Sequence, residues 1–291
     1  MFGGVAFELL GDFASHAAVL PAECARHSKP GLDPRARAAV VCAVHCDSAL
    51  LDEPAIGPGS FGNSVRFDRN ERGAGSLGLR ATGLRGELEP ISAGHYAVTA
   101  RVAPGADGML ALLRAVSAAI VQREGGLVLH AAGAEIDGRA LLFVGPSGAG
   151  KSTALRQTER ARCFAYDHVA VLPGSDGWLA WGLPGGTTAR APESSEIAFP
   201  LAAVARVRRA ETTEPQLALL SGAEALFALR ESVECADDSP GSEEVYLRAV
   251  TELCSEVAVF SIATVLGRSN DRVIDAALST RSTMASRGRR S

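Results

Sequence analysis

The run LLFVGPSGAGKST at 141–153 constrains this chain more than any other stretch. An apolar, strand-like segment runs straight into a glycine loop, and helix-forming residues follow. Residues 145–152 satisfy GxxxxGK[ST] at every fixed position. Glycines there let the backbone turn its N–H groups inward, where they cradle phosphate oxygens. The following helix adds the positive end of its dipole. The expected nucleotide-binding residues are therefore Gly145, Pro146, Ser147, Gly148, Ala149, Gly150, Lys151, Ser152 and Thr153. Lys151 is expected to reach the β- and γ-phosphates, and the Ser152 hydroxyl to ligate Mg²⁺. ATP or GTP binding follows from the loop; the fate of the γ-phosphate does not.

The segments around the loop set its context. Apolar residues at helical spacing (Leu110, Leu113, Val116, Ile120) predict a helix from about Ala106 to Gly125. LVLHAAGAEI then reads as a strand, Asp137-Gly138 as a hairpin turn, and RALLFV as the returning strand. The strand feeding the loop is thus the second arm of a hairpin, with an antiparallel neighbour. A helix of about ten residues fits STALRQTERA, and RCFAYDHVAVL reads as a strand ending its first part at Asp167. WLAWGL, PLAAVARVRRA and VAVFSIAT read as further strands. SGAEALFALRESV, SEEVYLRAVTELCSEV and SNDRVIDAALST read as helices, the first opened by a serine cap.

Two side chains near the loop carry potential chemistry. Asp167 lies sixteen residues past Lys151, with room for only one intervening helix. That short unit is expected to set Asp167 on the strand neighbouring the loop strand, facing the γ-phosphate. A carboxylate there holds Mg²⁺, directly or through water, or takes a proton from an attacking hydroxyl. His130 lies fifteen residues before Gly145, on the first hairpin arm. A lone histidine on an apolar strand is commonly a satisfied core residue; beside a phosphate site it tunes a neighbouring carboxylate.

The rest of the 291 residues sets limits. A chain 47% hydrophobic and 21% charged has ample material for a packed core. The net charge of −4 offers no footprint for nucleic acid or an anionic membrane. No run of apolar residues is long enough to span a bilayer. The six scattered cysteines and the absence of a signal-like start point to reduced thiols in a cytoplasm. VVCAVHC groups Cys42, His45 and Cys46, but period-2 alternation of a strand accounts for it better than a metal site. Residues 1–105 are expected to form a β-rich N-terminal region, 106–280 the nucleotide-binding domain, and 281–291, with four arginines, a basic flexible tail.

Together, LHAAGAEIDGRALLFVGPSGAGKST, the early AYDHV and the antiparallel hairpin resemble the C-terminal catalytic domain of HPr kinase/phosphorylase, a bacterial serine kinase related to phosphoenolpyruvate carboxykinase. The wording is similar still to shorter relatives found in ribosomal-peptide clusters, lasso-peptide kinases among them. The resemblance is strong over about 125–172, extends to about 265, and leaves 1–105 uncovered. It implies an α/β, mixed-sheet P-loop kinase domain using ATP and Mg²⁺. It implies an acceptor protein or peptide with a serine or threonine hydroxyl, and a homo-oligomer, since the founding family is usually hexameric. By position, His130 matches the histidine that assists the catalytic acid, Lys151 and Ser152 the loop lysine and metal ligand, and Asp167 the second member of a tandem Asp-Asp that accepts the proton. The implied catalytic set is Asp167, His130 and Lys151, with Ser152 and Asp167 on the metal.

Two departures stand out. Tyr166 occupies the place of the first aspartate, and the family's downstream E-I-R-G string is absent, WLAWGLPGGTTAR standing in that region. Both argue against the HPr protein as acceptor and leave phosphorylase activity without support. Arg190 is a candidate cation for the phosphates, and 182–195 a candidate acceptor groove. The alternatives are a nucleotide-binding regulatory protein with little transfer activity, or a small-molecule kinase or ATPase on the same scaffold.

Overall fold

A computed structural model describes residues 5–10, 38–52, 65–69, 76–104, 106–183, 198–210, 213–234 and 242–288. It is an α/β fold with two mixed sheets and two compact units.

The first unit comprises residues 1–126 with 183–185 and 234–246. Its six strands are β1 (Val5–Leu10), β2 (Ala38–Cys46), β3 (Val65–Arg69), β4 (Leu77–Ala81), β5 (Leu84–Ser92) and β6 (His95–Val102), ordered β1-β2-β6-β5-β4-β3. In β2 the alternation puts Val40, Cys42 and Val44 in the core while His45 is exposed. Burial pushes the Cys42 thiol up to about 12.

Helix α1 (Ala106–Arg123) buries Leu113, Val116 and Ile120, as its periodicity predicts. It packs against β4, β5 and β6, so the units divide at 126/127 rather than at 105/106.

The second unit holds residues 127–182, 186–233 and 247–291. Its strands are β7 (Leu127–Ile136), β8 (Arg139–Val144), β9 (Arg162–Ala165), β10 (His168–Gly174), β11 (Gly177–Gly182), β12 (Phe199–Arg209), β13 (Gln216–Leu219) and β14 (Ala258–Thr264). The order is β11-β10-β7-β8-β12-β14-β13, with β9 also on β7 and the start of β12 also on β11. The β7–β8 hairpin turns on Asp137 (φ +51) and Gly138 (φ +75), the signs a two-residue primed turn demands. Its turn is anchored by the Glu135 carboxylate, which accepts from Gly138 N–H at 2.6 Å and Arg162 Nε at 2.5 Å.

As expected, the loop strand β8 has an antiparallel neighbour, β7, on one side. On the other it has a parallel one, β12. Helices α2 (Lys151–Arg156) and α5 (Asp271–Gly288) pack on one face of this sheet, where Phe143, Leu155, Phe260, Ile262 and Ile274 form the core. α3 (Gly222–Arg230) opens at Ser221, whose N–H donates to Glu224 at 2.9 Å, and α4 is Ser242–Glu256.

Two expectations need correcting. α2 is six residues long, not ten. Its continuation is diverted because Gln157 is held from afar: its carbonyl accepts from Asn270 N–H and its side chain donates to the Val265 carbonyl. Residues 281–288, expected as a flexible tail, are the last turns of α5. No helix among the described residues is long and apolar enough to cross a membrane.

Candidate functional site

The loop between β8 and α2 opens outward. Pro146, Ser147 and Gly148 are exposed, while Val144 and Gly145 are buried at the strand end. Gly148 (φ +78) and Gly150 (φ +98) take left-handed backbone, so β-carbons there would be strained. Lys151 is 7% exposed and donates its ammonium to the Gly145 carbonyl at 2.9 Å and the Pro146 carbonyl at 3.2 Å. These bonds hold the loop's curvature. Ser152 and Thr153 begin α2 half-buried.

Asp167 is not on a strand next to β8. β7 intervenes: β8 pairs with β7, and both β9 and β10 pair with β7's other edge. RCFAYDHVAVL is accordingly one course along β7 with an irregularity at Tyr166–Asp167 rather than one regular strand. The ladder bond from Ala131 N–H to the Asp167 carbonyl survives at 2.9 Å.

In a regular strand Asp167 and His168 would point to opposite faces. The break brings the Asp167 carboxylate to both imidazoles. Its Oδ1 lies 3.0 Å from His130 Nε2, and its Oδ2 lies 3.4 Å from His168 Nδ1. His130 and His168 are direct cross-strand partners, with ring centroids 6.1 Å apart and planes 19° from parallel. His130 is further fixed by its own N–H, which donates to the Ser232 carbonyl at 2.7 Å.

The electrostatics follow from this geometry. The hydrogen bond from His130 is the chief cause that holds Asp167 down at about 2, against partial burial, which opposes it. The charges of His168, His130 and Lys151 lower it further, so the loop lysine and Asp167 share one electrostatic neighbourhood. Asp167 is 34% exposed and His130 30%, so both reach solvent; His168 is 5% exposed. Tyr166 turns the other way and packs against the apolar cluster under β8 and α2.

The site therefore brings Asp167 and His130 together and sets Lys151 within electrostatic range. Sequence reasoning does not single out His168, which begins an apolar strand and carries no signal of its own. Arg190 and nearly all of the 182–195 stretch lie outside the described residues.

Mg²⁺ typically takes one or two carboxylates and completes its shell with water and phosphate oxygens. Among the described residues no three His, Cys, Asp or Glu side chains gather as a metal group. An ionised Asp167 and the Ser152 hydroxyl are hard oxygen donors, a set that suits a cation held chiefly by a nucleotide.

A family model described as ScmC, SynChlorMet cassette protein ScmC, matches residues 108–266, more than half of the chain. The chain belongs to the ScmC family. The ScmC match takes in the hairpin, the glycine loop, both histidines, Asp167 and the strands through β14. Strands β1 to β6 lie outside it. No curated protein matches the chain.

Proposed function

We propose that this ScmC-family protein is an ATP-dependent kinase that passes the γ-phosphoryl group to a serine or threonine hydroxyl of a protein or peptide. The observation that carries the proposal is the Asp167–His130 pair, set one strand beyond a GxxxxGKS loop and sensed by its lysine.

Each residue has a task. The backbone of 145–152 holds the β- and γ-phosphates. Lys151 exchanges its loop carbonyls for phosphate oxygens and opposes the charge that spreads over the transferred group. Asp167, ionised throughout the physiological range, accepts the hydrogen bond of the acceptor hydroxyl and aims its oxygen at phosphorus. The new O–P bond forms as the bridging β–γ O–P bond breaks, ADP leaves, and the hydroxyl proton passes to Asp167 and then to water. A carboxylate near pKa 2 is a weak base, so its first contribution is orientation and the proton moves late. His130 keeps the carboxylate aimed. Mg²⁺, with Ser152 and Asp167 as protein ligands, supplies charge neutralisation on the phosphates.

Tyr166 favours a second reading, a nucleotide-responsive regulatory protein with little transfer. Half-buried against the apolar cluster, it leaves one carboxylate where the resembling kinases have two. Incubation with γ-labelled ATP, Mg²⁺ and a pool of serine- and threonine-containing peptides separates the readings. Labelled peptide supports the kinase. Label released only as free phosphate indicates a hydrolase, and bound but intact ATP indicates the regulatory protein.

A further inference from the structure

Resting on the reading of 145–152 as a phosphate cradle, we propose that a cavity walled by Arg208, Gln216, Leu217, Ser269 and Arg272 takes the nucleoside half of the bound nucleotide, a purine base with its ribose. The cavity has a volume of about 530 Å³, within the range of small-molecule sites.

Topology places it. On one flank of β8 lie β7 and, beyond it, Asp167; on the other lie β12, β14 and β13. A nucleotide that turns its terminal phosphoryl toward Asp167 carries its nucleoside the other way. β8, β12 and β14 are parallel, so their carboxyl ends share one edge, where open α/β sheets bind ligands. The register runs along that edge. Val144 pairs with Arg206, a β-carbon on Gly145 would lie 3.4 Å from the Val207 carbonyl, Arg208 pairs with Ala263, and Ala263 pairs with Gln216. With about 4.8 Å between strands, the cavity opens one strand from β8 at Arg208 and ends three strands away at Gln216.

The cavity wall is also tied to the loop's own helix. Asn270, fully buried between Ser269 and Arg272, donates Nδ2 to the Ala154 carbonyl at 3.1 Å and its N–H to the Gln157 carbonyl at 2.8 Å. Whatever fixes α2 over the phosphates fixes this wall as well.

The lining chemistry suits a purine nucleoside. Guanidinium planes stack on aromatic rings, and Arg208 is held in place by its Nε donation to Ser261 Oγ at 3.0 Å. Leu217 and Val273 offer apolar surface to the base, while Gln216 and Glu214 offer hydrogen-bonding groups to its edge and to ribose hydroxyls.

Titration calorimetry of the full chain with Mg-ADP and with Mg-tripolyphosphate, which lacks a nucleoside, tests the assignment. The wild type should bind ADP more tightly than tripolyphosphate. The Arg208→Ala/Arg272→Ala variant should lose about tenfold in ADP affinity and change less than about twofold toward tripolyphosphate. If the double variant misfolds, Arg272→Ala alone serves, because a cation in the first turn of α5 does little for that helix. Unchanged ADP affinity, or an equal loss for both probes, would overturn the assignment while sparing the phosphate cradle. A wild type that binds neither probe would overturn the cradle and this site with it.

Discussion

His130 Nε2 lies 3.0 Å from Asp167 Oδ1, a pairing that ties β7 to the break between β9 and β10. The hydrogen bond from the imidazole is the largest single cause that lowers the Asp167 pKa to about 2, and the charges of His168 and Lys151 add to it. Replacing His130 with phenylalanine should therefore raise that pKa toward the ordinary 3.8, observable by carbon-13 titration of labelled aspartate. An unchanged value would mean that the histidine does not hold the carboxylate.

The same depression links stability to pH. The folded pKa lies below the unfolded one, so the contribution is complete above 3.8 and is lost as pH falls toward about 2. Because Asp167 is one-third exposed, solvent screening reduces the size of the effect. Urea melts should show wild type losing stability over that window by more than Asp167→Asn does.

Lys151 is nearly buried and satisfies two loop carbonyls. Lys151→Met removes a charged donor worth roughly 1.5–3 kcal/mol, so nucleotide affinity should fall by about tenfold or more. Fluorescent-nucleotide titration measures this. Retained affinity would show that the loop binds without its lysine.

Gly133 packs under an aromatic ring. A β-carbon there would meet Phe164 ring atoms at 2.5, 2.6 and 2.9 Å, and Phe164 is itself fully buried against Phe199. Gly133→Ala should cost about 1–3 kcal/mol by overpacking, and adding Phe164→Leu should recover part of it. Thermal melts of the single and double variants decide.

The local features of this chain were legible because local chemistry sets them. Asp137-Gly138 demands a tight turn, the glycine loop demands its conformation, and alternation in β2 sorts Cys42 from His45. The break at Tyr166–Asp167 was not legible, because it arises where the chain fits itself along β7. Nor was the short α2, cut off by Asn270, which is 116 residues from its partner Ala154. The loop's neighbour was misplaced for a related reason. A short loop–helix–strand unit suggests adjacency to β8, but the hairpin partner β7 already holds that edge. His168 was invisible in the sequence, because only the cross-strand register sets it opposite His130.

The most direct measurement is the rate of γ-phosphoryl transfer from ATP to a hydroxyl acceptor by wild type and by Asp167→Asn, with nucleotide affinity measured on both. An Asp167 that orients the acceptor predicts transfer reduced by about 10²-fold or more at unchanged affinity. Equal transfer by the two proteins would contradict it.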